Sequence, residues 1–171
     1  TLISNLRIMR RTLINQISKR CDKSKEIITG VVHALLSRSI FIKYLEERKD
    51  SNGETVFPQD FYCNFMESAK WYTDVLNSKE ATYNLFLTLK DKFNGDTLQV
   101  SEIETEIITQ DDLDELRTFI LGNSELESRQ LTLWPLYSFD IIPIQLISSI
   151  YELFFHLSDE EDEKGTYYTP L

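Results

Sequence analysis

Apolar side chains recur along this chain at intervals of three and four, the spacing that gathers them on one face of an α-helix. Leu2, Leu6, Met9, Leu13 and Ile17 predict a first helix over residues 2–20, with Arg7, Arg10, Arg11, Lys19 and Arg20 off the stripe, facing solvent or a partner. Ser24 then offers a hydroxyl to the unpaired amides of a following first turn. From there to residue 48 the apolar positions Ile27, Ile28, Val31, Val32, Leu35, Leu36, Ile40, Phe41, Ile42, Tyr44 and Leu45 cover most of the helix circumference. Such a helix has to be central and largely buried. Thr29, His33 and Ser37, four apart, form its narrow polar line. No carboxylate or thiol is placed beside His33, so it reads as a surface or hydrogen-bonded histidine rather than a general base.

Asp50, Ser51, Asn52 and Gly53 predict a turn, with Pro58 after it. A third helix is expected over residues 59–76, with Phe61, Phe65, Ala69, Tyr72 and Leu76 on one side. A fourth, capped by Ser78, should run over 79–93 with Tyr83, Phe86, Leu87 and Leu89, ending at Asn94 and Gly95. These aromatic stripes lack the interleaved Arg and Lys of a base-stacking platform and read as core. Leu98, Val100, Ile103, Ile107 and Ile108, among many carboxylates, suggest a short strand and a loop over 96–108. Thr109 and Asp112 have capping-box spacing, and a helix over 111–121 should end at Gly122. Asp111, Asp112, Asp114 and Glu115 suit the positive end of that helix, which accounts for them without a metal. Leu131, Leu133, Trp134 and Leu136 read as an extended segment. Pro143 opens a last helix carrying Ile144, Ile147, Ile150, Phe154 and Leu157, on which Glu152 and His156 read as an exposed ion pair. The pattern predicts a mainly α fold, an irregular multi-helix bundle with at most one or two short strands. Residues 1–157 form one helical domain, 158–164 an acidic linker and 165–171 a terminal motif.

At 171 residues, 42% of them hydrophobic, the chain has enough apolar surface for one sizeable core. Its net charge of -10 divides unevenly: residues 1–50 hold 11 Lys or Arg against 5 Asp or Glu, a net of +6, and the remainder 7 against 23, a net of -16. Only the N-terminal helices therefore have the charge to attract phosphate. The same basic face would equally suit an acidic surface elsewhere in the polypeptide. Cys21 and Cys63 have neither metal-ligand spacing nor a disulfide framework around them and read as buried free thiols. With no leader sequence and no apolar run approaching the ~20 residues of a membrane span, the expectation is a soluble, cytoplasmic protein with no membrane partner.

The end of the chain carries its most specific pattern. Residues 137–152, Tyr-Ser-Phe-Asp-Ile-Ile-Pro-Ile-Gln-Leu-Ile-Ser-Ser-Ile-Tyr-Glu, are followed after the linker by Gly165, Thr166, Tyr167, Tyr168, Thr169 and Pro170. This resembles the entry to the methylase domain in adenine-specific DNA methyltransferases of bacterial type I and fused type II restriction-modification systems. Residues 35–48, Leu-Leu-Ser-Arg-Ser-Ile-Phe-Ile-Lys-Tyr-Leu-Glu-Glu-Arg, resemble the helix upstream of the same core. The resemblance covers residues 25–48 and 130–171 well and the middle loosely. It implies that Tyr167, Tyr168, Thr169 and Pro170 help line a pocket for S-adenosylmethionine. Aromatic faces attract a sulfonium cation, and a threonine hydroxyl can bond its carboxylate. It also implies DNA and the methylase domain of the same polypeptide as partners, with Arg7, Arg10, Arg11, Lys19 and Arg20 candidates for the DNA backbone. The Gly-rich cofactor turn and the Asn/Asp-Pro-Pro-Tyr/Phe clamp for a flipped base are not in this sequence: the five glycines are scattered and no two prolines adjoin. The chain is thus expected to be inert alone, with no cofactor of its own, as a connector cut at the methylase boundary. The alternative is an all-helical protein–protein interaction module with no methylase relationship.

Overall fold

The computed structural model describes residues 2–93, 98–122 and 152. Six α-helices lie in these residues: α1 Leu2–Ser18, α2 Lys25–Glu47, α3 Tyr72–Val75, α4 Lys79–Lys92, α5 Glu102–Ile107 and α6 Gln110–Leu121. The described residues hold no strand, only an isolated antiparallel bridge between Lys49 and Thr55. The mainly α expectation is met. The extended segment near Trp134, the helix opened by Pro143, His156, the acidic linker and the terminal motif lie outside the described residues.

α2 is the central element, packed against α1, α3 and α5, while α6 closes over α1 and α3. Its start is fixed as the sequence indicates: Ser24 Oγ accepts from the Ile27 amide. Leu35, Leu36, Ile40 and Ile42 are almost wholly enclosed, together with Leu6, Leu13 and Ile17 of α1 and Leu113, Leu116 and Phe119 of α6. By length and composition alone α2 would qualify to cross a membrane, which corrects the expectation that no stretch does; 72% of that stretch is buried inside the fold.

Two segments differ from the periodicity. Residues 59–76 form not one helix but a 3-10 turn, Phe61–Asn64, a loop, and the single turn of α3. Asp60 and Ser68 adopt left-handed backbone, at φ 63° and 65°, which an α-helix cannot run through. Phe61, Ala69, Tyr72 and Leu76 are buried all the same and Phe65 is half-buried, with Phe57 stacked on Phe61 and both meeting Tyr62 edge-on. Where a strand and loop were expected over 96–108, the described residues hold the short helix α5 and no strand. Ser101 Oγ accepts from the Glu104 amide, and Glu102 and Glu104 sit in the first turn, where carboxylates are favoured. The turn at residue 50 is as expected, with Asp50 Oδ1 accepting from the amides of Asn52 and Glu54.

Candidate functional site

The polar line of α2 faces inward. His33 is 2% exposed, and its Nε2 accepts from Arg10 Nε at 2.9 Å. Thr29 and Ser37 are buried beside it, with the Ser37 hydroxyl donating to the His33 carbonyl. His33 is therefore the hydrogen-bonded histidine the sequence allowed. Arg10, however, is not the outward-facing side chain it was expected to be. It stands four residues after Leu6 and three before Leu13, which places it at the margin of the buried stripe opposite His33.

The other basic candidates of α1 divide in the same way. Arg20 Nη1 donates to Asp112 Oδ1 at 3.0 Å, and its Nη2 donates to the Ile107 carbonyl and to Asp112 Oδ2. Gln16 donates to the same carboxylate at 2.8 Å. Asp112 also accepts from the Thr109 amide at 2.9 Å, so the predicted capping residue doubles as the anchor between α1 and α6. Arg7 is half-buried, and only Arg11 and Lys19 of the five stand fully outward without a described ion pair. Lys23, in the following turn, is exposed as well. The cysteines also depart from expectation: Cys21 is half-buried and Cys63 exposed, both as free thiols.

A second polar cluster sits deep against the middle of α2. Arg38, with no exposed surface, is bonded through both terminal nitrogens to Glu104, itself 1% exposed. Tyr83 Oη donates to Glu104 Oε2 at 2.7 Å, and the guanidinium carbon lies 4.6 Å from the centre of the Phe86 ring. At the next position of α2, Ser39 and Tyr72 share a hydrogen bond of 2.7 Å, and the Tyr72 amide donates to Glu46 Oε1. Lys43 Nζ donates to Glu46 Oε2 at 2.6 Å. Burial opposes the Lys43 charge, but Glu46 and Glu47 outweigh it and hold its pKa above the ordinary value. Burial also raises the phenols of Tyr62, Tyr72 and Tyr83, and the nearby carboxylates add to the effect.

Beyond the C-terminal turn of α2 opens a cleft of about 480 Å3, lined among others by Phe57, Phe61, Tyr62, Trp71, Glu46 and Lys70. Phe57 and Phe61 stack at 4.5 Å and 8°. Trp71 is 58% exposed although its amide is bonded to Asp74 Oδ2. The Tyr62 hydroxyl is enclosed beside Glu46, whose carboxylate adds to burial in raising the phenol's pKa. Sequence periodicity assigned Phe61 to the core, where it lies, and missed the cleft beside it. The signal available was Asp60 and Ser68, polar residues suited to tight turns inside a supposed helix.

No group of three or more His, Cys, Asp or Glu among the described residues is arranged to hold a metal ion. No family model, curated protein or solved structure matches the chain. The S-adenosylmethionine candidates Tyr167, Tyr168, Thr169 and Pro170 lie outside the described residues.

Proposed function

We propose that this chain is the helical connector of an adenine-specific DNA methyltransferase of a restriction-modification system, standing immediately before its S-adenosylmethionine-binding domain. The observation that carries the reading is the order and spacing of residues 137–152 and the Gly-Thr-Tyr-Tyr-Thr-Pro motif, with residues 35–48 as an independent second point. A largely helical body around one buried helix is compatible with it. The role follows from what the chain contains and lacks. It braces the methylase domain and offers a basic surface to the DNA backbone.

Arg10 and Arg20 are committed to His33 and Asp112, so backbone contact falls to Arg11, Lys19 and Lys23. Retention of duplex DNA is measured at low and moderate salt for the chain and for an Arg11→Glu/Lys19→Glu/Lys23→Glu variant. Salt-sensitive binding that the variant loses is the expected result. A reading frame that continues into a Gly-rich strand-to-helix turn and an Asn/Asp-Pro-Pro-Tyr/Phe segment is expected alongside it. A frame that stops after Leu171 refutes the methyltransferase reading, whatever the DNA result.

A further inference from the structure

We propose that the turn after α2 is a site of spontaneous covalent modification, at which Asn52 loses its side-chain nitrogen through attack by the Gly53 nitrogen, and that Asp50 holds this reaction in check. The inference rests on the turn alone and stands apart from the methyltransferase reading.

The turn over residues 50–53 is closed by the Gly53 amide, which donates to the Asp50 carbonyl at 3.0 Å. Gly53 itself is in left-handed backbone at φ 79°, and the Asp50 amide donates to the Glu54 carbonyl at 2.9 Å, which sets Lys49 opposite Thr55. This is the geometry of a short hairpin loop whose last position favours glycine. Every residue over 51–56 is exposed, so water reaches the turn and opening it uncovers no core.

The same glycine makes the neighbouring asparagine reactive. Without a Cβ at residue 53, no side chain shields its nitrogen from that of Asn52. Once hydroxide removes the Gly53 amide proton, the nitrogen bonds to Asn52 Cγ, the Cγ–Nδ2 bond breaks, and Nδ2 takes up a proton and leaves as ammonia. Water then opens the cyclic imide and a proton returns to the Gly53 nitrogen, with nothing oxidised or reduced. Opening at Cγ gives an ordinary aspartate. Opening at the backbone carbonyl gives an isoaspartate, its main chain routed through Cβ. Asn64 is also exposed, but it is followed by Phe65, whose side chain hinders the same attack, and its Nδ2 donates to the Phe61 carbonyl at 2.8 Å.

The closed turn opposes the reaction. Its Gly53 N–H is engaged by the Asp50 carbonyl, while Asp50 Oδ1 accepts from the Asn52 and Glu54 amides at 2.8 Å and 3.0 Å. Conversion therefore runs through the opened turn, at a rate set by how often it opens. The product carries a new carboxylate between Asp50 and Glu54, and like charges so close repel. An isoaspartate also lengthens the main chain by one carbon, which breaks the register between Lys49 and Thr55. Thr55 Oγ1 donates to the Phe57 carbonyl at 2.7 Å, so the change reaches the lining of the aromatic cleft.

The intact chain is held for weeks in heavy-oxygen water at neutral and mildly alkaline pH, then digested in ordinary water, and the peptide of residues 50–70 is read by mass spectrometry. Asn52 is expected to gain a solvent oxygen, faster at the higher pH, with Asn64 in the same peptide unchanged. Asp50→Ala should speed the conversion about tenfold, through loss of the two bonds its carboxylate accepts. The converted chain, separated by its added negative charge, should be cut by trypsin after Lys49 in the native state at least roughly fivefold faster. No conversion at Asn52 overturns the site, and an Asp50→Ala rate equal to that of the parent chain overturns the role of Asp50. Unchanged cutting after Lys49 overturns the loss of register.

Discussion

The Arg38–Glu104 pair is the most exposed point of this fold to a single substitution, although no part of it reaches the surface. Changing Glu104 to Ala leaves a guanidinium with zero accessible surface and no counter-charge. Breaking one side of a buried ion pair costs about 3–5 kcal/mol. Tyr83 loses its acceptor at the same time, and an orphaned buried hydroxyl costs a further ~1–3 kcal/mol. The total is comparable with the whole stability of a typical domain, about 5–15 kcal/mol. Yet the pair itself contributes little relative to apolar residues of similar volume, because both charges had to leave water. Arg38 Nε, moreover, is enclosed without a partner. The triple variant Arg38→Met/Tyr83→Phe/Glu104→Leu should therefore lie within ~2 kcal/mol of the parent protein, far above Glu104→Ala alone. Urea unfolding followed by far-ultraviolet circular dichroism measures both. A Glu104→Ala loss below about 1 kcal/mol, or a triple variant no more stable than the single one, would refute the reasoning.

Two further outcomes follow from the same interior. The phenols of Tyr62, Tyr72 and Tyr83 titrate above the ordinary value of 10.0, first because they are buried. Raised pKa values mean stability that is full below pH ~10 and falls above it, as the unfolded chain ionises and the folded one does not. Each raised phenol removes up to roughly tenfold in the folding constant per pH unit beyond that point, and Lys43, also raised, acts in the same direction. Alkaline titration of circular dichroism should show one steep cooperative loss above pH ~10; gradual phenol ionisation at constant helicity would contradict it. Gly30 lies within α2, and a Cβ added there meets nothing within 4 Å. Gly30→Ala should stabilise the protein by about 0.5–1 kcal/mol in thermal or urea unfolding, and a lower midpoint would show that α2 needs the glycine for another reason.

Where local physics decides the structure, the sequence was enough. The caps Ser24, Ser78 and Thr109, the Gly122 stop and the buried circumference of α2 each depend on neighbours within a turn or two, and each is found as expected. What was not legible required knowing which helices meet. Arg10 looked solvent-facing on the wheel of α1 alone and becomes interior only because His33 arrives from 23 residues away. Glu104 looked like one carboxylate among many in an acidic stretch, and Arg38 selects it across 66 residues. The cleft was hidden for a different reason. An apolar repeat of three and four marks burial in a helix, but it can also be met by aromatics folding on one another around left-handed turns, as Phe57, Phe61 and Tyr62 do.

The junction of Arg20 with Asp112 joins positions 92 residues apart, and so bears on the order in which the chain can assemble. α1 and α2 are adjacent in sequence and can pair early, since a short connection closes at little entropic cost. The face of α1 that receives α6 has no such local partner. During synthesis it stays uncovered until Asp112 and the leucines behind it have emerged, leaving apolar surface open to chaperones or to another nascent chain. A chain ending before α6 would therefore hold its central helix pair in an unfinished, association-prone form, and closure by α6 would be the late step of folding.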